Sequence, residues 1–243
     1  MKRIERVSDS ASGVMAATVA RRLEEARERI AKACAAAGRP ADGVHILAVT
    51  KGFGPEAIEA AVAAGLKDIG ENYLQEAQAK FAAAAWPRHP VRRHYIGRIQ
   101  RNKARRIAAL FDVVQTVGEL DVAEKLDEGA RESSKVLDIL LQVNIAGDDR
   151  AGIEPEACAD FARSLQPFSR LHLCGVMAVG PLDHSATQTA FARAAGAFHA
   201  IGRVTPVDML SLGMTGDLEA AVAAGSTMVR LGTALFGARP AKV

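Results

Sequence analysis

Eight short apolar runs, each leading into a segment whose apolar residues recur at helical spacing, follow one another from residue 45 to residue 233. They are HILAVTK (45–51), DIGEN (68–72), RRHYIG (92–97), DVVQTV (112–117), VLDILLQVNIA (136–146), LHLCGVMAVG (171–180), DMLSLGM (208–214) and TMVRLGT (227–233). Such runs suit strands covered on both faces, and strands separated by helices pair in parallel through right-handed crossovers. Eight is the number at which a parallel sheet closes on itself, so the pattern predicts an α/β chain folded as a single (β/α)8 TIM barrel. An open doubly wound sheet is the competing arrangement, but the GFG after the first run lacks the G-x-G-x-x-G spacing of a dinucleotide turn. Ahead of the first strand, Val19, Leu23, Ala26, Ile30 and Ala33 predict an extra N-terminal helix over 13–37.

A length of 243 residues with 49% hydrophobic content suits one large core, so one domain is expected over 1–243, with 1–12 flexible. The 31 basic and 28 acidic residues are spread along the chain and leave a net charge of +3. No nucleic acid and no membrane is therefore expected as a partner, while small anions remain suitable ligands. Arg98, Arg101, Lys103, Arg105 and Arg106 cluster after the third strand, but without stacking aromatics beyond Tyr95 they read as a solvated helix face. Cys34, Cys158 and Cys174 are odd in number and far apart, which argues against a disulfide framework or a metal site and favours a reducing, cytoplasmic setting. The N-terminus lacks an apolar core of signal-peptide length.

A closed parallel barrel gathers the C-terminal ends of its strands at one mouth, and Lys51, Asn72, Asn144, Gly180, Met214 and Gly232 are expected there. A lysine ending a strand is either a solvated terminus or an amine lowered in pKa by apolar surroundings and aimed at carbonyl chemistry. The stretch LSLGMTGDLEAAVAAG runs from strand to glycine, hydroxyl and helix, with Gly232 and Thr233 following the eighth strand. It reads either as a phosphate cradle or as a strand end with a capped helix. Asp217 must point away if the cradle is real. Arg230 places a permanent charge inside an apolar strand and needs either a barrel carboxylate or a ligand; arginine meets the pyridine nitrogen in some pyridoxal phosphate enzymes.

The blocks LAVTK, DIGENYLQEAQAK, HYIGRIQRNK, VNIAGDDRAGI, GVMAVGP and LSLGMTGDLEAAVAAGSTMVRLGTALFG, in this order, resemble the pyridoxal phosphate homeostasis protein family, also called the YggS or PROSC family. The likeness runs from about Val14 to Pro240. It implies a barrel like the N-terminal domain of alanine racemase, with pyridoxal 5'-phosphate (PLP) held as an aldimine on Lys51. It further implies that Asn72 and His94 line the cofactor pocket and that Arg230 meets the ring nitrogen. Ser211, Met214, Thr215, Gly232 and Thr233 would surround the phosphate. Thr215 stands where the family usually has serine, Leu212 where it often has methionine, and Arg150 where a lysine is common. Arg150 cannot form a Schiff base, which puts a secondary PLP attachment there in doubt.

The resemblance implies a carrier or regulator in vitamin B6 homeostasis rather than an enzyme, with apo-PLP enzymes as potential recipients and a monomer as the expected state. An amino-acid racemase of the alanine racemase type is the alternative. It needs two opposed acid–base groups, and the chain is expected to lack the second domain that supplies the tyrosine in those enzymes. The only tyrosines, Tyr73 and Tyr95, have no evident catalytic context. A class I aldolase would use Lys51 and the cradle but leave Arg230 without a role. Thr50, beside the lysine, is expected to matter less to ligand retention than Thr215.

Overall fold

Every one of the eight apolar runs forms a strand, and each pairs in parallel with its sequence neighbour until the eighth closes on the first. The computed structural model describes residues 2–87, 90–147 and 150–239, with the backbone alone for 2–12. The strands are β1 (His45–Val49), β2 (Asp68–Glu71), β3 (Arg92–Tyr95), β4 (Val113–Val117), β5 (Leu137–Val143), β6 (Leu171–Ala178), β7 (Met209–Ser211) and β8 (Met228–Leu231). The helices are α1 (Lys2–Ala36), then, one after each strand, α2 (Pro55–Ala63), α3 (Leu74–Ala83), α4 (Ala104–Leu110), α5 (Leu120–Glu132), α6 (Cys158–Ser164), α7 (Thr187–Gly202), α8 (Leu218–Ala223) and α9 (Thr233–Phe236). The barrel closes with Leu47 opposite Arg230 and Ala48 opposite Leu231. No helix among the described residues is long and apolar enough to cross a membrane.

Two apolar layers follow from the two-residue period of the strands. Leu47, Val113, Leu140, Cys174, Met177, Met209 and Met228 face inward and meet in the barrel's interior. Their neighbours, such as Ala48, Val114, Leu210 and Val229, face outward and join the larger core beneath the helices. The inward parity of β1 continues through Val49 to Lys51, that of β2 through Gly70 to Asn72, and that of β8 through Arg230 to Gly232.

α1 begins well before the expected Gly13, because residues 2–12 contain no proline and one internal glycine costs a helix only about 1 kcal/mol. Residue 1 lies outside the described residues and 2–12 are described by their helical backbone alone, so the flexibility expected of 1–12 lies outside that description. Val19, Leu23, Ala26, Ile30 and Cys34 form the buried stripe of α1. This stripe packs α1 across α2, α8 and α9, over the seam where β8 meets β1. Arg29 fastens it there, with its Nε 2.8 Å from Glu219 Oε1 and Nη2 3.1 Å from the Thr215 carbonyl.

Two helical glycines make opposite demands. A Cβ on Gly129 in α5 would lie 2.6 Å from backbone atoms of Arg105 in α4, whereas one on Gly196 in α7 would meet nothing within 4 Å. Replacing glycine by alanine in a helix ordinarily stabilises by roughly 1 kcal/mol. Thermal unfolding is expected to show that gain for Gly196→Ala and a loss for Gly129→Ala, where α4 and α5 must separate.

Candidate functional site

β1 stops at Val49, two residues short of the expected end, and Lys51 sits in the turn that follows. Gly52 takes a φ of +78° there, a left-handed conformation that glycine adopts without strain. Lys51 therefore rises from the rim into a cavity of about 390 Å³ at the C-terminal mouth of the barrel. Asn72, Ile96, Met177, Met214, Thr215, Arg230, Gly232, Thr233 and Arg239 also line it. That volume falls within the ~300–1,000 Å³ range of small-molecule sites. Larger clefts lie at the opposite end of the barrel, beside His45 and Asp68, and outside the mouth, beside Tyr73 and Arg101. The mouth cavity is set apart not by its size but by having cations in its lining with no carboxylate beside them among the described residues, whereas Asp42 and Asp68 line the one cleft and Glu119 the other.

Lys51, Arg230 and Arg239 are its charged groups, and no Asp, Glu, His, Cys or Tyr lines it among the described residues. Burial, first, and then the nearby charges of Arg239 and Arg230 lower the pKa of Lys51, with Glu71 and Glu76 pulling it back up. More of the neutral amine is thus present near neutrality than for a solvated lysine. Asn72 offers a buried Oδ1 with no hydrogen-bond donor, an acceptor left over for a ligand. Its position is tight, since a Cβ on Gly97 would fall 2.0 Å from the Asn72 carbonyl oxygen.

Among the described residues no carboxylate hydrogen-bonds to Arg230, although the charge of Asp217 acts on it. Its Nη1 donates to the Ser211 carbonyl at 2.7 Å and to Ser211 Oγ at 3.0 Å, and its Nη2 donates to the Ala178 carbonyl at 2.8 Å. A guanidinium carries five N–H donors, so these three bonds leave two for a ligand at the cavity floor. Burial draws its pKa down to about 10, still far enough above neutrality to keep the proton.

Two residues expected at the pocket lie outside its lining. His94 and Ser211 are fully buried and do not line the cavity. Both share the inward parity of their strands, and Ile96 and Met214, further along the chain, line the cavity in their place. His94 and Ser211 instead belong to a row of hydrogen bonds through the barrel interior. Ser211 Oγ accepts from Arg230 and donates to Gln115 Oε1 at 2.8 Å. Gln115 Nε2 lies 2.9 Å from His94 Nδ1, and His94 Nε2 lies 2.8 Å from Asp68 Oδ1. Burial, opposed by Asp68, lowers the pKa of His94 and keeps the ring neutral, with Nδ1 accepting and Nε2–H donating. Gln115, an amide in an otherwise apolar run, is the sequence signal for this row.

Asn144 and Gly180 also lie outside the cavity's lining. The Gly180 carbonyl accepts from Arg150 at 3.0 Å, and Arg150 lines a separate polar cleft. Asp217 does not line the cavity, for its Oδ1 accepts from the backbone N–H of Met214 at 2.6 Å. Among the described residues, Asp138, His172 and Cys174 could bring donor atoms together for a metal. They sit near the other end of the barrel, where burial and Asp138 push the Cys174 thiol up to about 12 and Arg92 already pairs with Asp138 at 2.6 Å.

Comparison with known proteins agrees with this geometry. The family model described as "Alanine racemase, N-terminal domain" matches residues 13–240. Two relatives carry the name "Pyridoxal phosphate homeostasis protein": one from Pseudomonas aeruginosa, 41% identical with 91% of this chain and 96% of that protein covered, and one from Pasteurella multocida, 39% identical with 91% and 98% covered. PipY of Synechococcus elongatus, solved with PLP bound, superposes with a TM-score of 0.78 at 32% identity, covering 90% of this chain and all of that one. With its closed barrel, its rim lysine and relatives that match it along most of its length, the chain belongs to the pyridoxal phosphate homeostasis protein family, built on the alanine racemase N-terminal barrel.

Proposed function

We propose that the protein binds PLP in the Lys51 cavity and serves vitamin B6 homeostasis as a carrier or regulator, working as one unit over 1–243. The observation that carries this reading is the cavity's charge: three cations converge on a space that no carboxylate lines, which suits a phosphorylated ligand. Bound there, the cofactor would supply an aldehyde for carbonyl–amine chemistry, and Lys51 would hold it through its neutral amine. Thr215, Met214, Gly232 and Thr233 border the rim where the phosphate would sit, and Arg239 adds charge beside it. Asn72 Oδ1 would accept a hydrogen bond from the ligand, and the spare donors of Arg230 would face an unprotonated ring nitrogen.

The carrier reading is favoured over the racemase by what the cavity lacks. Lys51 is its one lining group able to exchange protons near neutral pH, since both other charges belong to arginines. Tyr95 is turned outward and donates its hydroxyl to the Arg98 carbonyl at 3.0 Å, while Tyr73 is 60% exposed and lines the outer cleft. The relatives' names describe homeostasis and no catalytic activity. Cys34, Cys158 and Cys174 are free thiols, as suits the cytoplasm. A monomer that passes PLP to apo-enzymes completes the proposal.

Borohydride reduction of the purified protein followed by peptide mapping is expected to place the pyridoxyl label on Lys51 and to leave a Lys51→Ala variant unlabelled. A label confined to another lysine contradicts the assignment. Incubated with L-alanine in deuterated water, the PLP-loaded protein is expected to show no Lys51-dependent Cα exchange by NMR and no D-alanine by chiral chromatography. Sustained racemisation would favour the enzyme.

A further inference from the structure

The turn that carries Lys51 is gripped from outside the barrel. Where Lys51 and Asn72 face inward, the alternation of the strands turns Thr50 and Glu71 outward towards α3. There the Lys80 ammonium is almost fully buried, and all three of its N–H donors are engaged: the Thr50 carbonyl at 2.7 Å, Glu76 Oε1 at 3.0 Å, and Glu71 Oε1. Thr50 Oγ1 donates to the same Glu71 oxygen at 2.5 Å. Glu76 Oε1 in turn accepts the backbone N–H of Gly52 at 2.6 Å. The residues on either side of Lys51 are thus tied to one ammonium and two carboxylates, while Lys51 itself is left out of the cluster.

Burial of this kind is costly unless pairing and hydrogen bonds offset it. A lysine and a glutamate taken out of water cost several kcal/mol each before their pairing offsets it, and an apolar pair would fill the space as well. One Glu71 oxygen, Oε2, remains without a partner. We propose that Glu71, Glu76 and Lys80 are positioning residues for Lys51: they fix the turn so that its amine faces the cavity, and they set acidic charge behind it. The proposal rests on the reading of Lys51 as the attachment point, but it concerns the protein without ligand and can be tested there.

Four charged groups act on the Lys51 amine: Arg230 on β8, Arg239 beyond α9, Glu71 on β2 and Glu76 on α3. The arginines favour the neutral amine and the carboxylates the protonated one, so the cluster limits how far the site drives Lys51 towards neutrality. Glu76 is the residue to vary, since its side chain is 30% exposed whereas that of Glu71 is wholly buried. Glu76→Gln keeps an acceptor for Gly52 N–H and removes the charge; Glu76→Ala removes both. Glu59→Gln, which alters a carboxylate that accepts from Ala85 N–H at 2.9 Å, serves as the control.

On ligand-free full-length protein, the pH dependence of Lys51 acetylation, read by peptide mass mapping, should move to lower pH in both Glu76 variants and stay in place in Glu59→Gln. Exchange of the Gly52 amide, followed by NMR, should quicken by about tenfold or more in Glu76→Ala, as fits loss of a hydrogen bond to a charged acceptor, and by far less in Glu76→Gln. PLP affinity should fall in Glu76→Ala and recover in Glu76→Gln. If both Glu76 variants leave the Lys51 profile and Gly52 exchange as in the parent, the proposal is overturned, even if PLP binds. If both shift as expected but no variant, nor the parent, binds PLP, the positioning role stands and the cofactor reading falls.

Discussion

Closure of β8 onto β1 governs the rest of the molecule. Once Leu47 pairs with Arg230, no strand can slip, because a one-residue shift would turn every inward side chain out. The barrel then sorts consecutive residues into two environments that never mix. Val49 and Lys51 belong to the interior and its mouth, and Thr50 between them belongs to the layer under the helices. The same division separates Asn72 from Glu71 and Arg230 from Leu231. A site that needs a cation facing a ligand and acids behind it can therefore be built from adjacent residues.

The two most buried cations are accommodated in different ways. Arg230 sits among neutral acceptors, two backbone carbonyls and a serine hydroxyl, and keeps its full charge for whatever enters the cavity. Lys80 has carboxylate partners, and its charge is spent within the cluster. Arginine's rigid fork of donors suits the first role, since some can be committed while others stay open. The compact ammonium suits the second, with its three donors converging on one turn.

Much of this was legible in the chain itself. Alternating runs named all eight strands, and of the six strand ends counted to the mouth, Lys51, Asn72, Met214 and Gly232 line one cavity while Asn144 and Gly180 do not. That counting identifies a face but not a depth, and His94 and Ser211, of the inward parity, lie fully buried outside the cavity's lining. It also overlooks whatever supports the site from the other face. Thr50 reads in sequence only as mattering less to ligand retention than Thr215, and nothing there signals that its hydroxyl and carbonyl are both engaged. The sequence does carry a signal for Lys80, a charge four residues after Glu76 and flanked by the buried Ala77 and Phe81 on one side of α3. Reading it requires knowing that this side packs against a strand end, which is tertiary information. Arg239 went unnoticed because it follows the last barrel unit, outside any motif.

The row from Arg230 through Ser211, Gln115 and His94 to Asp68 has one direction. Every donor points from the mouth towards the base, because a permanent cation heads the row and a carboxylate ends it. Reversing the order would require Arg230 to give up a proton or Asp68 to hold one. The amide of Gln115 further blocks relay, for an amide cannot accept on oxygen and release from nitrogen without becoming an imidic acid. In electrical terms the barrel interior is a polarised insulator rather than a wire. No proton is relayed along it between the base of the barrel and the mouth.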